Sequence, residues 1–258
     1  MAEAIIGGIL DARLSAPDEI KVGEPVETRR SYLEQKYGLK AYSSNLDVVS
    51  GADIVVLSVK PQSLPDVLSE LKSGLEQDTA VLSIVAGAKM KTLVDGLGHS
   101  SVIRVMPNTP AQIGAGMTVW TASPDVPEAK INAARDILGT LGKELFVNDE
   151  KLIDMATAVS ASGPAYVFLF IEAMIDAGVY LGMPRDMART LVLQTVTGST
   201  RLVEESGRHP AELKDMVTSP GGTTIEAVLA FEEGGFRATV FQAVIAAYEK
   251  SKELGEES

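Results

Sequence analysis

The chain has 258 residues and a formal charge of −12, because 35 acidic residues outnumber 23 basic ones. It contains no cysteine, which excludes disulfide scaffolds, thiolate metal sites and cysteine nucleophiles. The two histidines, His99 and His209, lie in unrelated segments, so we expect chemistry without a metal. A surface this acidic repels phosphate backbones and anionic membranes, and we expect neither a nucleic acid nor a membrane as partner.

The first part of the chain alternates strand patterns with helical patterns. The apolar run from Asp53 to Val59 is typical of a strand buried on both faces. Strand and helix alternating at this pitch predict βαβ units and a doubly wound, mostly parallel sheet. After a helix that starts at residue 1, the predicted elements are a strand at 20–22, a helix containing Leu33 and Tyr37, a strand at 53–59, a helix at 64–75, a strand at 80–85, a helix at 91–97, and strands at 102–106 and 116–121.

From about residue 149 long helical patterns replace the strands, and we place a domain boundary near residue 148. This predicts an α/β domain at 1–148 and an all-helical domain at 149–258. The helix at 164–182 is apolar on nearly every side, which favours burial in a bundle or against a second subunit. Glu172 and Asp176 interrupt it, and a helix facing lipid would rarely tolerate them. The predicted helices are 149–159, 164–182, 185–206, 223–233 and 236–254.

The glycine fingerprint of dinucleotide-binding domains, G-x-G-x-x-G after a strand, does not occur in this sequence. Other segments follow predicted strands, at the sheet edge where open α/β sheets bind ligands. Residues 104–111 contain two prolines around Asn108 and Thr109, and they could form a structural corner or a ligand contact. Lys60, at the end of its own strand, could face a cofactor or solvent.

The segment from Thr218 to Thr224 combines four hydroxyl side chains with two adjacent glycines just before a predicted helix. Such a loop is either an ordinary capped turn or a nest whose backbone N–H groups bind a carboxylate or phosphate. It contains no carboxylate, histidine or lysine, so a ligand bound there would be held rather than attacked. The hydroxyl of Thr224 could donate a hydrogen bond but is too weak an acid for strong general acid catalysis.

Several segments together resemble the pyrroline-5-carboxylate reductase family over essentially the whole chain. The most specific match is the run from Pro210 to Glu232. The other matching stretches are 59–61, 83–87, 104–111 with Gly114 and Gly116, 160–166 and 234–238.

The resemblance implies a Rossmann-like domain followed by an all-α oligomerisation domain, and reduction of 1-pyrroline-5-carboxylate to L-proline by hydride from NADPH, with NADH possible. It implies a small imino-acid substrate, a homodimer formed by the helical domain, a larger ring such as a decamer, and a cytoplasmic location. The implied catalytic residue is Thr224. The implied substrate-binding residues are Ser219, Gly221, Gly222, Thr223 and Thr224, and the implied cofactor-binding residues are Ala2, Glu24, Asn45, Val59, Lys60, Pro61, Ala86, Gly87 and Asn108.

The family's first strand and its glycine loop should precede this chain, since Met1 and Ala2 match the last two residues of that fingerprint. We expect a start site assigned at an internal methionine. If the first strand is missing, the strands on either side of its place should have unpaired edges. Ala161, where the family usually has glycine, is a second departure.

Two questions stay open at this point. Glu24 follows the second strand of the family's sheet, where an acid usually binds the ribose hydroxyls of NAD, while Arg29 and Arg30 could accept the 2′-phosphate of NADP. We favour NADPH. The alternatives to a reductase are a related 3-hydroxyacid dehydrogenase, for which Lys214 is the only nearby lysine, and a non-catalytic paralogue that binds a carboxylate.

Overall fold

A computed structural model describes residues 1–256, which form two compact units. One unit comprises Met1–Ser162 together with the chain from Ala247 onward, and the other comprises Gly163–Ala246. The sequence places the boundary between the nucleotide-binding and helical domains near residue 148. This division by function is distinct from the compact units, and it stays a prediction.

The strands of the first unit form two separate sheets, one with the order β1-β2 and the other with the order β3-β4-β5-β6-β7. Within the described residues β1 pairs only with β2, and β3 pairs on one side only, with β4. Each of β1 and β3 therefore has one edge without a strand partner among the described residues. The strands are β1 Lys21–Gly23, β2 Lys40–Tyr42, β3 Ile54–Leu57, β4 Ala80–Ser83, β5 Val102–Met106, β6 Gly116–Ala122 and β7 Gly142–Phe146.

Helices cover both faces of the larger sheet, as a doubly wound fold requires. Alternate residues of β4 show this arrangement, since Ala80 and Leu82 pack in one apolar cluster and Val81 packs in another. The first cluster includes side chains of α1 and α6, and the second includes those of α4 and α5. The helices of this unit are α1 Ala2–Asp11, α2 Glu27–Tyr37, α3 Leu46–Val49, α4 Leu64–Leu71, α5 Met90–Leu97, α6 Glu128–Gly139 and α7 Lys151–Ala156.

The prediction of a mostly parallel sheet is confirmed, with one exception. The β3-β4-β5 strands and the β6-β7 pair run parallel, whereas β5 and β6 pair in antiparallel register. A short connection joins these two strands through a 3-10 turn at Thr109–Ile113. Such a connection is too short for a parallel crossover, so the chain has to reverse direction there.

The second unit is helical, in agreement with the sequence. It contains α8 Gly163–Tyr180, α9 Arg185–Ser206, α10 Pro210–Met216, α11 Thr223–Glu233 and the first part of α12 Phe236–Glu256. The helix at 149–159 differs from the prediction, since α7 ends at Ala156 and a π-turn follows at Thr157–Ala161. By length and composition alone, the helical stretch Lys151–Tyr180 could span a membrane, and little of it is buried within the described residues.

Candidate active site

The ends of three parallel strands gather most of the predicted cofactor-binding residues at one sheet edge. In the sheet register Leu57 of β3 lies opposite Ser83 of β4, and Ser83 lies opposite Arg104 of β5. The segments that follow these strands therefore leave the sheet at the same edge, which we call the cofactor edge. It brings together Val59, Lys60, Pro61, Ala86, Gly87 and Asn108.

The turn after β4 needs glycine for two reasons. Gly87 has φ +79°, a left-handed conformation that L side chains rarely adopt, and it is buried. A Cβ at this position would also come within 3.1 Å of the Cβ of Leu254, near the end of α12. The chain after Ala247 thus packs against the cofactor edge within the first unit, while Ala86 beside it is exposed.

Both polar atoms of the Asn108 side-chain amide form hydrogen bonds. The Asn108 Oδ1 accepts a hydrogen bond from the Met117 N–H at 2.9 Å, and its Nδ2 donates to the Ser160 carbonyl at 3.2 Å. Asn108 therefore links the end of β5 to the π-turn. Sequence reasoning gave Ser160 no role of its own, because the contact joins residues 52 positions apart.

Lys60 caps a 3-10 turn whose first residue is Pro61, and its side chain is exposed. The Lys60 carbonyl accepts a hydrogen bond from the Ser63 N–H at 3.0 Å. Proline at the first position fixes φ for such a turn and gives up no hydrogen bond. The turn leaves the ammonium group of Lys60 free to meet an anionic ligand.

Glu24 and Asn45 lie together at the smaller sheet rather than at the cofactor edge. The Glu24 N–H donates to the Tyr42 carbonyl at 2.9 Å, and the Glu24 Oε1 accepts from the Val26 N–H at 2.9 Å. The side chain of Asn45 approaches Gly23, and its Nδ2 donates to Glu70 Oε2 at 2.7 Å. The carboxylate of Glu24 therefore holds the turn that leads into α2.

A cluster around Glu3 neutralises one of the two arginines considered for cofactor recognition. Glu3, in the first turn of α1, pairs with Arg29 and accepts hydrogen bonds from Lys36 and Tyr37 at 3.0 Å. The hydrogen bond from Arg29 is the main reason that the pKa of Glu3 falls to about 2. Arg30 has a different role, because its Nη1 donates to the carbonyls of Glu24 and Pro25, both at 2.8 Å.

Ala2 is the first residue of α1, and Met1 is its N-cap. The free N–H groups of such a helix end favour a phosphate group. The negative charge of Glu3 in the same turn is compensated by the cations that surround it.

The predicted substrate loop precedes α11 in the second unit. Gly222 is the N-cap residue, and no side chain caps this helix. Gly221 has φ +65°, and the Gly222 N–H donates to the Ser219 carbonyl at 3.1 Å, which closes a tight turn. Of the two alternatives that the sequence left open, a turn capped by a Ser or Thr hydroxyl does not occur at this helix, so the hydroxyls of Thr223 and Thr224 do not serve as its cap. Thr224 is half-buried.

The family models identify the class to which this fold belongs, the NAD(P)H-dependent oxidoreductases. Residues 1–87 match the family described as NADP oxidoreductase, coenzyme F420-dependent, and residues 150–254 match pyrroline-5-carboxylate reductase dimerisation. The chain belongs to the pyrroline-5-carboxylate reductase family.

Individual relatives agree along the whole chain. A pyrroline-5-carboxylate reductase of Synechocystis is 44% identical over 99% of this chain and 95% of its own length. The reductase of Escherichia coli is 44% identical over 98% of this chain and 94% of its own length. The crystal structure of the Plasmodium falciparum reductase with NADP bound superposes with a TM-score of 0.90 at 35% identity, covering 98% of this chain and 94% of that one.

Proposed function

We propose that this protein reduces 1-pyrroline-5-carboxylate to L-proline with a hydride from NADPH, the last step of proline biosynthesis. The observation that carries the proposal is the 40–44% identity to reductases of this name over essentially the whole chain. The comparisons give no support to the non-catalytic paralogue, since residues 1–87 match an NADP oxidoreductase family and residues 150–254 match the reductase dimerisation region.

The residues of the first unit fit a dinucleotide. The left-handed conformation of Gly87 sets the turn of the backbone at the cofactor edge. Val59, Lys60, Pro61, Ala86 and Asn108 would bind the nicotinamide end at this edge. The helix N-terminus at Ala2 would face the pyrophosphate, and Glu24 and Asn45 would face the adenosine. NADPH supplies the hydride when bound.

In the second unit the turn from Ser219 to Thr224 would bind the substrate carboxylate. Free N–H groups at the start of α11 and the helix dipole both favour an anion. Ser219, Gly221, Gly222 and Thr223 would surround the carboxylate, and the hydroxyl of Thr224 would hydrogen-bond to the imine nitrogen. Hydride addition to a protonated imine needs orientation more than proton abstraction, which agrees with a loop that holds no base.

The helical domain pairs with a second copy of the chain, since residues 150–254 belong to the family's dimerisation region. Large apolar side chains exposed in the second unit, such as Phe168, Leu169 and Phe241, are the surface that such pairing would cover. We extend the proposal to a higher oligomer such as a decamer in the cytoplasm, with no nucleic acid or membrane as partner. The same pairing accounts for the apolar stretch Lys151–Tyr180 without a membrane.

The test is NADPH oxidation by the purified chain, with 1-pyrroline-5-carboxylate as substrate. The protein should oxidise NADPH only when substrate is present. Thr224→Val should lose most of this activity, whereas the matched control Thr239→Val, which changes an exposed threonine bonded to its own helix, should keep it. An inactive wild-type protein that still binds L-proline would contradict the proposal and favour the carboxylate-binding paralogue.

A further inference from the structure

Arg104 is a charged residue in the middle of an otherwise apolar buried strand. It is 1% exposed, and its neighbours in β5 are Ile103 and Val105, both fully buried. Its guanidinium makes two ion pairs with α7 and the residue before it: Nη1 lies 2.7 Å from Glu150 Oε1, and Nη2 lies 2.7 Å from Asp154 Oδ1.

Stability alone is a poor reason to keep an arginine there. Removing an ion pair from water costs about as much as the pair returns, and a well-packed apolar side chain often does better. The Arg104 Nε is also buried, and none of the described residues accepts a hydrogen bond from it. Such a group is better explained by the positions that it fixes than by the energy that it contributes.

The ion pairs fix the segment that leads into the π-turn. Glu150 Oε1 also accepts the Met90 N–H at 2.6 Å, so one carboxylate joins β5, α5 and the start of α7. Asp154 lies within α7, and the π-turn begins three residues later. The far end of the π-turn is held by Asn108, whose Nδ2 lies 3.2 Å from the Ser160 carbonyl and 3.4 Å from the Ser160 Oγ.

Two residues of one chain segment, Arg104 and Asn108, therefore hold α7 and the π-turn at both ends. π-turns are rare, and they occur frequently at functional sites. Here the π-turn is attached to Asn108 at the cofactor edge, where the hydride would be transferred.

We propose that Arg104 is a positioning residue for hydride transfer: through Glu150 and Asp154 it sets the π-turn as a wall of the cofactor edge. This inference rests on the proposed function. A displacement of about 1 Å in such a wall can cost on the order of 100-fold in rate while binding is kept.

The experiment compares Arg104→Met with wild type in single-turnover hydride transfer at saturating NADPH. We expect the rate to fall about 100-fold, with the Kd for NADPH changed less than about threefold. Amide hydrogen exchange in residues 157–162, measured by mass spectrometry, should become faster. The matched control Arg135→Met removes a more exposed arginine, whose Nε lies 3.5 Å from Glu144, and it should change neither readout.

Arg104→Met leaves the carboxylates of Glu150 and Asp154 without their positive partner, which can prevent folding. A second variant tests the inference in that case. The triple variant Arg104→Met, Glu150→Gln, Asp154→Asn removes all three charges, keeps the shapes of the two acidic side chains and replaces the arginine by an unbranched apolar chain. It should fold, exchange faster at 157–162 and remain slow in hydride transfer. A folded triple variant with the wild-type hydride-transfer rate would overturn the inference, whatever its exchange rate.

The two proposals fail in different ways. If wild type does not reduce the imine, the proposed function fails, while the exchange comparison still tests whether Arg104 fixes the π-turn. If wild type is active and the triple variant is equally active, only the role of Arg104 fails.

Discussion

Replacement of Gly87 by alanine should distort the turn on which the cofactor edge depends. Alanine would have to adopt φ +79°, and a left-handed conformation costs an L residue about 1–2 kcal/mol. Its methyl group would also meet the Leu254 Cβ at 3.1 Å, a contact that the end of α12 can relieve by a shift of a few tenths of an ångström. We assign about 1 kcal/mol to this overlap, the low end of the range for overpacking.

Gly87→Ala should therefore lower the free energy of unfolding of the first unit by about 2–3 kcal/mol. Urea unfolding can be followed by the fluorescence of Trp120, the only tryptophan, which is fully buried in this unit. A double-mutant cycle with Leu254→Gly, which removes the Cβ in the overlap, should show a coupling of about 1 kcal/mol, because only the overlap is relieved. The affinity for NADPH should fall as well.

The backbone cost should remain in the double variant, since the second substitution does not change φ at residue 87. If Gly87→Ala unfolds within about 0.5 kcal/mol of wild type and binds NADPH equally well, the turn does not require a left-handed residue. In that case our account of the cofactor edge is wrong.

Three further predictions test separate parts of the account. Thr224→Val should lower kcat/KM about 10- to 100-fold, the cost of one hydrogen bond to a charged group, and Thr224→Ser should stay within about threefold in steady-state assays. Glu3→Gln should destabilise the fold by about 1–2 kcal/mol at neutral pH. Because the pKa of Glu3 is lowered from 4.5 to about 2, this difference in urea denaturation should be full above pH 4.5 and shrink as the pH falls towards 2. Glu24→Ser should shift the ratio of kcat/KM values towards NADPH over NADH by about five- to tenfold, since it removes a negative charge from the place that we propose for the adenosine ribose and its 2′-phosphate.

Local patterns predicted much of the fold. The apolar run at 53–59 contains β3, and the segment 64–75, with leucines at helical spacing, contains α4. Both were predictable because buried side chains recur along the sequence with the period of the strand or helix that carries them. The strand at 116–121 was also predicted. Its antiparallel direction was not, since direction depends on the connection from β5 and not on the residues of the strand.

The candidate site was predictable only where its residues follow strands. The cofactor edge follows from parallel strands that end together, which marked Lys60 and Asn108 as candidates while leaving a solvent-facing or purely structural role open. Gly87 came only from the family resemblance, and the roles of all three stay predictions. The ion pairs of Arg104 join it to residues 46 and 50 positions away, and no periodicity marks such partners. One signal was present, because an arginine inside a buried apolar strand needs a charged partner.

The central claim is that this chain transfers a hydride from NADPH to the imine carbon of 1-pyrroline-5-carboxylate. The most direct measurement uses NADPH deuterated at the transferable position and analyses the product by mass spectrometry. We predict L-proline with one deuterium on its δ carbon for each NADPH oxidised. Oxidation of NADPH without labelled proline, or binding of the substrate without any turnover, would contradict the account.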